Sequence, residues 1–411
     1  MQEEGKKATK NTAMLYLMNI AKMIFPLVTL PYLTRVLSTD CFAIVTYAKA
    51  VMQYVQIVMM FGFTLSATKD IVNAGGDREA IGRITGAVLE AKGVLALLTA
   101  AAVAVLTACI PLLRENPLYV ALAFVNIVLT EMLADFLFRG LDRMETITLR
   151  FVLAKTVSTL LTFVFIRNDS HVLLIPLFDI LGSLAALLLV LREIRRLGIT
   201  IRRQPLFAAW EKLRLSAVYF ASDMATTAFG ALNTVLIGIF ASKTEVSYWG
   251  NCMQLVTAVQ SFYTPITNGV YPSMIRTKSL KFLKKLLLIF MPLVTAGCVF
   301  CAVLAPTLVT IAFGAQYTPA GPLFRALVPV LFFSFPAMLL GWPALGPIEK
   351  QRQTTATTIL AAVFQICGLM LLLALGRFEL MSLAALRGAT EALLFLLRGG
   401  LVLRYRREYN P

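Results

Sequence analysis

Residues 93–112 read GVLALLTAAAVAVLTACIPL, twenty consecutive positions without a charged side chain. Wound as an α-helix at about 1.5 Å per residue, such a run covers about 30 Å, the thickness of a bilayer's hydrocarbon core. Stretches of this kind recur along all 411 residues, of which 58% are hydrophobic and 15% charged, and the mean hydropathy is +0.78. A soluble domain carries about 25% charged residues. Strands do not fit, because the runs are too long and lack the alternation of a membrane barrel. Lipid offers the backbone no hydrogen-bond partner, so the runs must be helical. The sequence therefore predicts an all-α polytopic membrane protein with about twelve spans, near 12–36, 43–67, 84–112, 118–139, 150–167, 171–191, 213–241, 246–275, 286–313, 320–345, 355–376 and 380–402.

The charge left over fits that reading. The net charge of +16 comes from short links between apolar runs, with no basic domain or aromatic platform of the kind nucleic acid requires. Of the 38 Lys and Arg, 27 fall on the side that carries both termini. Five (Arg35, Arg114, Arg167, Lys243, Arg377) fall on the other, and six lie within spans. The positive-inside rule then places both termini in the cytoplasm. Six cysteines, including the Cys298/Cys301 CxxC, sit in or beside apolar runs, and His171 is the only histidine. That leaves almost no material for a metal centre or a Ser-His-Asp triad, so no metal and no cofactor are expected. No cleavable signal pattern precedes the first span.

A basic stretch, residues 192–212 (REIRRLGITIRRQPLFAAWEK), divides the chain into two sets of six spans. The expected organisation is a bundle over 1–197, a cytoplasmic linker over 198–212 and a second bundle over 213–411. Span 2 carries Tyr47, Met52 and Gln53, and span 8 carries Tyr248, Met253 and Gln254 at an offset of 201 residues. Both halves start on the same side, so the repeat is parallel. Two such halves enclose a central cavity in many transporters.

Polar side chains within the spans follow helical spacing. Asn19, Lys22, Pro26 and Thr29 share one face of span 1, and Thr46, Lys49, Gln53 and Gln56 share one face of span 2. Span 7 aligns Ser222, Thr226, Gly230 and Asn233 with Asp223 beside them, and span 8 aligns Asn251, Gln254, Ser261, Thr264 and Asn268. A Lys or Arg at the centre of a span costs about 2.5–3.5 kcal/mol on insertion scales, so it is retained where it meets water, a partner or a substrate. The expected cavity residues are Asn19, Lys22, Lys49, Gln53, Asp223, Asn233, Asn251 and Gln254. The plainer reading of such groups is polar glue between helices, and Lys49 could instead snorkel to the surface. Arg387 and Glu391 read as a self-neutralising i,i+4 pair. Glu131 and Asp135 are also four apart, a like-charge spacing that suits proton or cation coupling, or contact with a lysine. With Arg35 they are the gate or coupling candidates. The sequence contains no GxxxxGK[ST] loop, so transport would draw on an H+ or Na+ gradient, the membrane potential or the substrate's own gradient. No soluble catalytic domain is evident, and an enzyme is not expected.

The stretch from Asn19 to Asp70, with Pro26, Pro31-Tyr32-Leu33-Thr34-Arg35, Tyr47 and Phe61-Gly62-Phe63, resembles the opening of Wzx-type oligosaccharide-lipid flippases. These belong to the multidrug/oligosaccharidyl-lipid/polysaccharide superfamily. In the second half Asn233–Gly238, Glu245–Trp249, Pro265, Tyr271-Pro272, Phe313–Tyr317 and Glu349–Arg352 extend the likeness over nearly the whole chain. The resemblance implies a V-shaped pair of six-helix bundles in the bacterial inner membrane that works by alternating access. It implies a polyprenyl-pyrophosphate-linked oligosaccharide as substrate, with membrane lipid and other polysaccharide-assembly proteins as partners and no nucleic acid. Lys22 and Lys49 match positions where the family places cavity bases, and Arg35 falls in the stretch associated with the outer gate. Spans 7 and 8 depart from a basic cavity, offering Asp223 and neutral amides. A cation-coupled exporter of drugs or small metabolites on the same fold, worked by Asp223, Glu131 and Asp135, is the competing reading. A membrane scaffold for an envelope complex is a third.

Overall fold

The computed structural model describes residues 2–409, with the side chains of 2–12, 15, 206, 218, 221–223, 225–230, 268 and 272 outside the description. Among the described residues the protein is helical and holds no strand. It divides into two compact units, Met1–Val235 and Leu236–Pro411. The first comprises α1 (Gln2–Val36), α2 (Thr39–Met60), α3 (Phe63–Asn73), α4 (Arg78–Cys109), α5 (Pro111–Arg114), α6 (Pro117–Glu131), α7 (Asp135–Gly140), α8 (Met144–Phe165), α9 (Leu174–Arg196) and most of α10 (Leu206–Phe240). The second comprises α11 (Lys243–Ser261), α12 (Tyr263–Thr277), α13 (Leu280–Val303), α14 (Ala305–Phe313), α15 (Gly321–Leu339), α16 (Trp342–Leu345), α17 (Gln351–Ala374) and α18 (Leu380–Arg404). The units divide inside α10, and residues 198–212 lie within the first.

Among the described residues ten helical stretches are long and apolar enough to cross a membrane, at the places of ten of the twelve expected spans. The other two expected spans, 213–241 and 246–275, coincide with α10 and with α11–α12. Helix ends follow local chemistry. The Ser38 hydroxyl accepts from the Cys41 amide at 3.2 Å, and Asp77 accepts from Glu79 and Ala80 at 2.9 and 3.3 Å. Ser242 and Glu245 form a reciprocal capping box. The expected span 286–313 breaks at Leu304, because Pro306 in the first turn of α14 cannot continue α13.

The internal repeat is carried by these boundaries. α1 and α10 each have 35 residues, and α10 starts 204 positions after α1. The caps Ser38 and Ser242 keep that offset, whereas α2 has 22 residues and α11 has 19. Those three fewer residues turn the offset into the 201 that relates Tyr47 to Tyr248. It persists to the breaks after Met60 and Ser261. At the α1/α10 offset Asn19 answers Asp223, Lys22 answers Thr226, Pro26 answers Gly230 and Thr29 answers Asn233.

Within the first unit α8 packs along α9 and α1, and Gly182 is what permits the approach: a Cβ there would overlap the Ala154 carbonyl. In the second unit α15 is the buried centre and packs on α18, α13 and α11. α13, the most apolar span, is by contrast almost wholly uncovered. Leu97, Leu188, Leu288 and Leu293 are each about two-thirds exposed or more. Apolar surface of this extent on a polytopic chain is the face turned to acyl chains.

Candidate functional site

The polar groups of the first unit are assembled by the register of α1 on α8. Thr148 donates to the Met14 carbonyl at 2.9 Å, and Lys22 lies 5.7 Å over the Phe151 ring. Thr29 and Thr159 meet at 3.4 Å, while the Tyr32 hydroxyl donates to the carbonyls of Phe163 and Ile166 at 3.2 and 2.6 Å. Both partners in these contacts advance together along the chain, so the two helices run parallel and Lys22 is carried to the start of α8.

There it meets a charged cluster formed by Asp135, Arg139 and Arg150. Arg150 holds Asp135 through both carboxylate oxygens, its Nε lying 2.6 Å from Oδ1. This is the two-pronged geometry that makes Arg–carboxylate pairs strong. Asp135 can reach it because the chain breaks between α6 and α7, with Ala134 in the left-handed region at φ +52°. That break also separates Asp135 from Glu131. The two acids expected to share one helix face do not do so, and each has its own base. Glu131 is sealed by Lys92, whose ammonium lies 3.0 Å from its carboxylate and 2.6 Å from its carbonyl, and by Gln56 at 3.2 Å. The Nε of Arg139 is buried and has no partner among the described residues.

A second cluster lies further along α8. Lys155 pairs with Asp179 of α9 at 3.0 Å, and Ser158 donates to the same oxygen at 2.8 Å. Lys49 of α2 has Lys155 and Asp179 as its charged neighbours. Among the described residues neither Lys22 nor Lys49 forms an ion pair, and both are exposed, as are Asn19 and Gln53. Charged and amide side chains facing outward within a span would be expensive against hydrocarbon.

The second unit differs. Asn233, at its border, and Asn251 are 3% and 1% exposed, Gln254 is half-buried, and both amide atoms of Asn251 lack a partner. The Asp223 side chain lies outside the described residues. Arg35 is exposed at the end of α1. Arg387 pairs with Glu391 at 2.7 Å, as its spacing predicts. Three groups escaped the sequence reading. Arg150, Arg139 and Arg398 were not among the candidate residues. Arg398 is 8% exposed and donates to the Ala337 carbonyl at 2.6 Å and to Thr358 at 3.1 Å. Only partner acids in space distinguish Arg150, and no sequence spacing carries that signal. Among the described residues no three His, Cys, Asp or Glu side chains gather as a metal site.

A polytopic helical bundle that keeps free cations on an exposed face has the architecture of a membrane transport protein, and solved structures of that class share the fold. An inward-facing multidrug-resistance MATE family transporter of the MOP superfamily superposes with a TM-score of 0.69 over 95% of both chains at 15% identity. A Vibrio cholerae MATE transporter gives 0.55 over 97% and 98% at 14% identity. Residues 8–278 match the family described as polysaccharide biosynthesis protein, and the chain belongs to that family. Among its relatives, a Shigella dysenteriae protein named a candidate O-antigen transporter is 26% identical over 87% of this chain and 91% of its own. One from Escherichia coli with the same name is 24% identical over 79% and 80%.

Proposed function

We propose that the protein is a flippase that moves a polyprenyl-pyrophosphate-linked oligosaccharide from the cytoplasmic to the outer leaflet of the bacterial inner membrane, supplying cell-surface polysaccharide synthesis. The observation that carries the reading is the pair of exposed, uncompensated lysines, Lys22 and Lys49, in the first unit. A pyrophosphate leaving water needs charge-assisted donors inside the protein, and free ammonium groups within the spans supply them. The family membership and the O-antigen transporter relatives support the same substrate class. Transport requires no bond to be made or broken. The two halves, 1–197 and 213–411 about the 198–212 linker, alternate access to the two leaflets. The excess of basic residues on the side of the termini supports a cytoplasmic location for both. Asn19, Gln53 and the half-buried Gln254 meet sugar, while Arg35 gates the outer side. The exporter reading is less favoured, because Glu131 and Asp135 are each occupied by a base.

The test is flipping in proteoliposomes. A polyprenyl-pyrophosphate oligosaccharide loaded in one leaflet should appear in the other with wild-type protein. Lys22→Glu, correctly folded and inserted, should abolish this, while Asp223→Asn should only slow it. The reverse ranking would move the reading to a cation-coupled exporter. No flipping under any imposed ion gradient would overturn the flippase.

A further inference from the structure

We propose that α8 carries two anion stations in series, and that Asp135 and Asp179 are built-in stand-ins for phosphate which the substrate displaces in turn. The inference rests on the flippase reading and adds residues and an order of events to it. The first station, on the side of the N-terminus, pairs Arg150 with Asp135, with Lys22 over the neighbouring Phe151 ring and Arg139 within electrostatic reach of Lys22. The second gathers Lys49 and Lys155 around Asp179. Arg150 and Lys155 are five residues apart on α8, which is about 7.5 Å of helix rise.

Three features argue that the carboxylates are exchangeable partners. Asp135 and Asp179 keep side-chain exposures of 35% and 27%, whereas Glu131, the acid paired inside the same unit, keeps 11%. Each is outnumbered by cations, three to one at the first station and two to one at the second. The first station therefore has an excess of two positive charges, matching a diesterified pyrophosphate with one negative charge on each phosphorus. The second has an excess of one, so it holds the same headgroup less tightly and favours release. The buried Nε of Arg139 supplies a donor that has no partner among the described residues. When a phosphate oxygen takes the place of Asp135 on the Arg150 fork, one carboxylate partner is exchanged for another anion of similar geometry. Two of the cations, Arg150 and Lys155, thus keep a carboxylate partner in the empty protein, which limits the cost of holding them within the spans.

The test is binding to the full-length protein in nanodiscs of zwitterionic lipid, with a short-chain polyprenyl diphosphate as probe. Phosphatidylglycerol and inorganic pyrophosphate serve as comparison ligands. Asp135→Asn and Asp179→Asn should each tighten the probe about tenfold while slowing flipping, and Lys22→Gln and Lys155→Gln should loosen it about tenfold. An Asp135→Asn protein that unfolds at the wild-type temperature yet binds no tighter would show that Asp135 does not compete with the ligand and overturn the inference. Should that variant fail to fold, Asp179→Asn decides in its place, since the Lys155 side chain of its pair is already 40% exposed. Phosphatidylglycerol binding as tightly as the diphosphate would make the stations a generic anionic-lipid site and overturn it too. Inorganic pyrophosphate binding as tightly as the probe, and in proportion across the variants, would retain the stations and show that the headgroup alone is read. Wild-type protein that binds no diphosphate at all would overturn the flippase reading itself.

Discussion

Lys92 and Lys22 lie in helices of the same unit, and the surroundings of each decide its role. Lys92 is 5% exposed and bound to Glu131, itself 11% exposed, with Gln56 completing the carboxylate's contacts. Removing one partner of a buried pair strands the other charge, so Lys92→Ala should lower stability by about 3–5 kcal/mol. Replacing both Lys92 and Glu131 by apolar residues should be far milder, and thermal unfolding of the two variants in detergent measures the difference. Lys22 lies over the Phe151 ring and forms no ion pair among the described residues, so its loss should leave the unfolding temperature nearly unchanged while removing transport. Both lysines are among the basic residues that fall within spans, and only Lys22 was expected in the cavity. The partner of Lys92 was not legible, because Glu131 is 39 positions away and meets it only in space. Arg398 was hidden for a related reason: its partner, the Ala337 carbonyl, is freed where α15 ends and the Gly341 amide bonds Met338 instead.

At the scale of elements, most helices were legible because hydrocarbon forces one solution on a twenty-residue apolar run. The breaks were less legible. Those after Glu131 and Met60 depend on left-handed residues, Ala134 and Phe61, that no glycine announces at their own positions. The break after Glu131 undid the expected coupling with Asp135. The stripe on α1 was legible through its 3.6-residue period, and its counterpart on α10 falls at the 204-residue offset fixed by the helix ends. The α8–α9 contact yields a prediction at this scale. Gly182 sits one turn from Asp179, so Gly182→Val should push α9 off the Ala154 carbonyl and stretch the Lys155–Asp179 pair. Overpacking of this kind costs about 1–3 kcal/mol, and a lower unfolding temperature together with slower flipping is the expected result.

For the whole molecule, the asymmetry between halves is the main consequence. The first unit carries the free cations, while Lys22 is answered in the repeat by Thr226 and Asn251 is enclosed. An anionic headgroup should therefore track the first unit. Orientation is checked independently. In a cysteine-free background, Gln204→Cys should react with a membrane-impermeant thiol reagent only after the cytoplasmic side is opened, and Arg114→Cys should react in intact cells. The opposite pattern would invert the topology.

The most direct measurement of the central claim is substrate protection on the α1–α2 face. Asn19→Cys and Gln53→Cys, placed singly in that background, are exposed to the impermeant reagent with and without a polyprenyl-pyrophosphate oligosaccharide, beside Asn251→Cys. The account predicts rapid labelling at positions 19 and 53, at least tenfold slowing of both by the substrate, and little labelling at 251. A face that stays unlabelled, or that labels equally with and without the substrate, would contradict it.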